Sequence, residues 1–98
     1  MSIQVPPDVL RRFCRRYRIA RLSLFGSVLG DAFQPGSDVD VLVEFRPNAL
    51  VGLLGLARIE RELSALFGRK ADVRTPADLS RYFRDDVLAS AETLYVEE

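Results

Sequence analysis

Asp38 to Phe45 reads Asp-Val-Asp-Val-Leu-Val-Glu-Phe, and this alternation restricts the fold more than any other stretch. Side chains of an extended chain point to opposite faces with period two, so Val39, Val41, Val43 and Phe45 share one face. Asp38, Asp40, Leu42 and Glu44 share the other. A valine face of this kind belongs in a core. Two carboxylates a few ångströms apart beside it repel each other, and a cation is the usual bridge. Asp40 in particular interrupts an otherwise apolar strand, where a carboxylate is poorly favoured without a purpose.

The flanking residues supply the remaining elements. Pro6-Pro7-Asp8 starts a helix, with proline in the first turn and an acid at the positive end of the dipole. Leu10, Phe13, Cys14 and Tyr17 follow i, i+3, i+4, i+7 spacing, which puts Cys14 on the apolar stripe as a small buried hydrophobe. Residues 19–25 form a first strand ended by Gly26-Ser27, residues 28–33 a short helix, and Gln34-Pro35-Gly36-Ser37 a turn. Leu53, Leu56, Ile59, Leu63, Leu66 and Phe67 carry a second helical stripe that stops at Gly68, a left-handed cap. Residues 69–74 make a third strand with Asp72 at its centre. Thr75-Pro76-Ala77-Asp78 caps a last helix whose core face is Leu79, Phe83 and Val87, with Tyr82 alongside. Leu94, Tyr95 and Val96 pack either on the core or on a partner. The expectation is a single α/β domain over residues 1–98, a small mixed β-sheet flanked by helices.

Composition narrows the chemistry. With no histidine and one cysteine, structural zinc sites and histidine-dependent triads are excluded, as is an intramolecular disulfide. The lone cysteine and the absence of a signal-like N-terminus fit the cytoplasm, and no apolar run is long enough for a membrane span. Fourteen basic and fourteen acidic residues cancel, which argues against a nucleic-acid binder held by phosphate neutralisation. The charge is nevertheless uneven: Arg11, Arg12, Arg15, Arg16, Arg18 and Arg21 crowd the first third. They read either as a solvated helix face or as a surface for an acidic partner or the tail of a nucleotide.

Gly26-Ser27 opens the short helix after the first strand. Glycine lets backbone approach a ligand, and a helix start offers free N–H groups to an anion, although Gly-Ser at a strand end is also a common turn. Asp38-Val39-Asp40 follows ten residues later. Asp72 is the candidate third carboxylate, its other reading being a surface acid paired with Lys70 and Arg74. Glu44 lies ~13 Å beyond Asp40 along the strand, too far to share a metal.

Together these residues resemble the DNA polymerase-β-like nucleotidyltransferase superfamily. The phrases Leu24-Phe25-Gly26-Ser27, Ser37 to Phe45 and Gly68 to Pro76 are similar to those of the minimal nucleotidyltransferase (MNT) antitoxins. The resemblance implies the polymerase-β-like fold and AMP transfer from ATP to a tyrosine of a cognate HEPN ribonuclease toxin. It implies two Mg²⁺ ions on Asp38, Asp40 and Asp72, with Asp72 helping to activate the acceptor. Gly26, Ser27 and Ser37 would hold the nucleotide. One departure is that Gly30 stands where members often carry an arginine near the phosphates, which implies either low ATP affinity or substitution by Arg46 or by a partner's cation. The alternative reading is an idle nucleotidyltransferase fold that neutralises the toxin by stoichiometric binding. A DNA-binding autoregulator is less favoured, for want of a helix-turn-helix. A small-molecule modifier is less favoured because the chain leaves no acceptor lobe. The oligomeric state stays open.

Overall fold

The valine face of the central strand organises the core. The computed structural model describes residues 5–26 and 38–97; Ser27, Gly30, Ser37, the short helix expected over 28–33 and the turn over 34–37 lie outside them. Along the described chain run α1 (Pro7–Arg16), β1 (Ile19–Phe25), β2 (Val39–Phe45), α2 (Leu53–Phe67), β3 (Ala71–Arg74), a 3-10 turn (Pro76–Asp78), α3 (Arg84–Ser90) and β4 (Glu92–Val96). The strands order β3-β2-β1-β4, with β1 antiparallel to β2 and β4 and β2 parallel to β3. The expected mixed pairing is present.

Register explains the core. Leu22 faces Val43, Leu24 faces Val41, and Val39 faces Ala71, so these residues share one face. Leu10, Phe13 and Cys14 of α1 and Ile59 and Leu63 of α2 are buried against it. Cys14 is wholly buried, and burial pushes its thiol up to about 12, as suits an inert packing residue. Gly68 ends α2 with φ +69°, the left-handed conformation expected of it.

Two expectations fail. The last helix does not run from Pro76. The capping box closes on itself, Asp78 Oδ2 accepting from Thr75 N and Oγ1 at 3.0 and 3.1 Å, but it opens only a 3-10 turn. Leu79 is extended, and α3 starts at Arg84, whose Nη2 donates to Leu79 O at 3.0 Å. Of the proposed core face only Leu79 is buried; Tyr82 is 87% and Phe83 51% exposed. The helix-bearing face of the sheet is filled by α1 and α2, so periodicity after residue 79 finds no layer to bury against. The same limit applies to the first turn of α2, where Leu53 and Leu54 stand in solvent. Residues 92–96, left open by the sequence, add β4: Tyr95 faces Leu22 and, with Leu94, packs on the core.

The edge strand β3 is tied to α2 by side chains. Ala71 N donates to Ser64 Oγ at 2.9 Å and Val73 N to Glu60 Oε2 at 3.0 Å, while Ser64 Oγ donates to Glu60 O at 2.7 Å. These bonds bracket Asp72. Glu60→Ala is expected to destabilise the chain by about 1–3 kcal/mol in urea unfolding by leaving the Val73 N–H unpaired, with Glu60→Gln, which keeps an acceptor, costing less.

Candidate active site

The other face of the sheet carries the polar chemistry. Phe25 lies opposite Asp40, Asp40 opposite Asp72, and Leu42 opposite Arg74. Because paired residues project the same way, β1, β2 and β3 bring these side chains to one surface. The turn Pro76–Asp78 packs on β2, and the surface becomes a cleft of about 270 Å³ lined by Phe25, Asp40, Asp72, Arg74, Asp78, Leu79 and Phe83.

Asp40 is the group this cleft perturbs. Burial raises its pKa, the Asp72 and Asp38 charges raise it further, and Arg74 opposes them. Asp72 lies opposite Asp40 and is itself held by Arg74, Nη2 to Oδ2 3.3 Å, the basic-neighbour pairing that the sequence allowed for it. Such a site favours a cation beside Asp40, and its all-oxygen donors suit a hard divalent ion.

Gly26 ends β1 with φ +76° and backs directly onto Asp40. A Cβ built there would collide with Asp40 Oδ2 and sit 3.3 Å from its Cγ. Positive φ and close approach both call for glycine, and the position it protects is the perturbed carboxylate.

Asp38 precedes β2 and is exposed, near enough to act on the charge of Asp40 but outside the strand. Among the described residues no three His, Cys, Asp or Glu side chains stand at metal-ligand spacing; Asp40 and Asp72 are brought together, and Asp38 stays at the rim. Ser27 and Ser37 fall outside the described residues. Glu44 lies away from the cleft, Oε2 3.9 Å from Arg21 Nε. Arg46 does not substitute for the missing arginine. It follows the far end of β2 and pairs with Glu97 at 2.6 Å, ~20 Å of strand from Asp40. The cation in the cleft is Arg74, which alternation within β3 already placed on the face of Asp72. Asp78, Leu79 and Phe83 carried no such signal, because they reach the cleft only through the break in the expected helix.

A family model described as a nucleotidyltransferase domain matches residues 7–94. A candidate protein adenylyltransferase of Methanocaldococcus jannaschii is 33% identical over 76 residues, 78% of this chain and 80% of its own. The solved structure of a candidate minimal nucleotidyltransferase superposes with TM-score 0.71 at 30% identity, covering 87% of this chain and 85% of its own. A tri-AMPylated Shewanella oneidensis HEPN toxin in complex with its MNT antitoxin gives TM-score 0.65 at 15% identity, over 93% of this chain and 70% of the matched one, a likeness of fold.

Proposed function

The chain belongs to the nucleotidyltransferase domain family, and we propose that it is an MNT-type antitoxin that transfers AMP from ATP to a tyrosine of a cognate HEPN toxin. The observation that carries the reading is the perturbed Asp40 facing Asp72 in an open cleft, with Gly26 seated against it. The relative named for protein adenylyl transfer and the AMPylated toxin complex of the same fold support the acceptor class.

Asp38, Asp40 and Asp72 are the residues that would hold Mg²⁺, which when bound supplies charge neutralisation at the phosphates and Lewis acidity toward the attacking hydroxyl. The chain's own contributions follow from its geometry. Gly26 lets the end of β1 pass close against Asp40, and the family resemblance assigns nucleotide contacts to Gly26 and to Ser27 and Ser37, which lie outside the described residues. Phe25 and Phe83 give an apolar wall at the cleft. The tyrosine oxygen would attack the α-phosphorus, the bond to pyrophosphate would break, and Asp72 would accept the phenolic proton. Arg74 holds the Asp72 carboxylate in position for that transfer. Leu50, Leu53 and Leu54, 85–99% exposed, form an apolar surface of the kind partner proteins cover.

The second reading, a stoichiometric antitoxin with an idle site, draws on Gly30 and on the absence of a three-acid cluster among the described residues. The test is α-³²P-ATP with Mg²⁺, the purified chain and the HEPN-type protein encoded beside it. Label on a tyrosine of the partner is expected. A stable complex that takes no label would leave the stoichiometric reading standing.

A further inference from the structure

We propose that the cleft between α1 and β4 is a second, anion-binding site that takes a small phosphate-bearing ligand, separate from the acidic cleft. It encloses about 420 Å³, and Leu10 and Tyr95 contribute to its lining beside Arg11, Arg15, Arg46 and Glu97. That volume lies in the range of small-ligand sites.

The arginines of α1 divide by face. Arg12 pairs with Asp8 at 3.7 Å and Arg16 with Glu62 at 3.4 Å. Arg11 and Arg15, the two that line the cleft, have no carboxylate within 4.0 Å among the described residues. They stand one turn apart, so their guanidiniums rise from the same face. Arg46 enters from the end of β2, fixed by its 2.6 Å ion pair with Glu97, and Glu97 is in turn anchored by its backbone N–H donating to Ala20 O at 2.7 Å. Among the described residues that line it, three guanidiniums against one carboxylate leave two positive charges, which a phosphate or pyrophosphate dianion would match. Guanidinium forks suit phosphate oxygens bidentately. Tyr95 and Leu10 offer an apolar surface to whatever the phosphate carries. The arginine-rich segment that the catalytic reading leaves unused thereby acquires a role.

The experiment is a ¹⁵N-resolved NMR titration of the whole chain with sodium pyrophosphate in chelator, so that no divalent ion recruits the anion to Asp40. Saturable shifts at the amides of Arg11, Arg15, Tyr95 and Glu97 are expected. Arg11→Gln/Arg15→Gln should weaken the apparent affinity by at least ~10-fold, and Arg12→Gln, on the paired face, should leave it unchanged. All three substitutions fall at exposed positions, and the NMR spectrum itself reports whether each variant is folded. Absence of saturation, equal loss in Arg12→Gln, or shifts confined to the surroundings of Gly26 and Asp40 would overturn the proposal. So would displacement of pyrophosphate by an oligo-glutamate peptide at lower concentration, which would reassign the cleft to an acidic protein segment.

Discussion

Asp40→Asn is expected to lower AMP transfer by ~10³-fold or more while leaving the chain at least as stable as before. The activity loss follows from removing a carboxylate at the centre of the cleft, where charge compensation in the transition state is among the largest catalytic contributions. The stability effect has its own sign. The folded-state pKa of Asp40 is raised, first by burial and then by Asp72. A group of this kind contributes fully to stability below its unfolded pKa and loses that contribution as pH rises through its folded pKa. In chelator, stability of the parent chain should therefore fall as pH climbs above the ordinary aspartate range, and Asp40→Asn should abolish that part of the slope. The two proteins should melt alike at acid pH, and the variant should melt higher at neutral pH. The half-buried position of Asp40 keeps the difference modest, since water that still reaches the carboxylate screens the repulsion. Thermal melts across pH, run beside the label-transfer assay, separate the outcomes. Transfer that survives in Asp40→Asn would remove this carboxylate from the mechanism, and a variant less stable at neutral pH would mean that Asp40 is a structural ion pair instead.

Gly26→Ala should damage both fold and activity. The left-handed backbone costs an L-residue about 1–2 kcal/mol, and the new methyl group drives into the Asp40 carboxylate. For a chain of this length such a loss corresponds to a melting point lower by roughly 4–16 °C. Displacing a reacting carboxylate by about an ångström costs on the order of 10²-fold in rate. The two effects are separable below the melting transition. A lowered midpoint with an unchanged transfer rate would show that the glycine serves the turn alone, and that the close approach to Asp40 has no catalytic consequence.

How far each element was legible depended on how local its cause was. The face assignment of β2 needed only the period of an extended chain, and Val39, Val41 and Val43 are buried as the alternation requires. Pro7 at the start of α1 and the left-handed Gly68 at the end of α2 are likewise consequences of one or two residues. The last helix was misjudged because a cap and an apolar period were both present, yet only Leu79 found a surface to bury against. Arg46 failed as a phosphate cation for a similar reason. Its sequence neighbourhood says nothing of the length of strand that separates it from Asp40.

The sequence by itself determined the faces of each strand, the apolar stripe of α1 and the candidate acids, because these follow from backbone periodicity and side-chain type. Only the tertiary structure decided the strand order β3-β2-β1-β4 and the parallel register that sets Asp72 beside Asp40. Those depend on how distant segments share one core and satisfy each other's backbone hydrogen bonds, as α2 does for β3 through Glu60 and Ser64. The same long-range packing seated Gly26 against Asp40, and with it the geometry on which the chemistry rests.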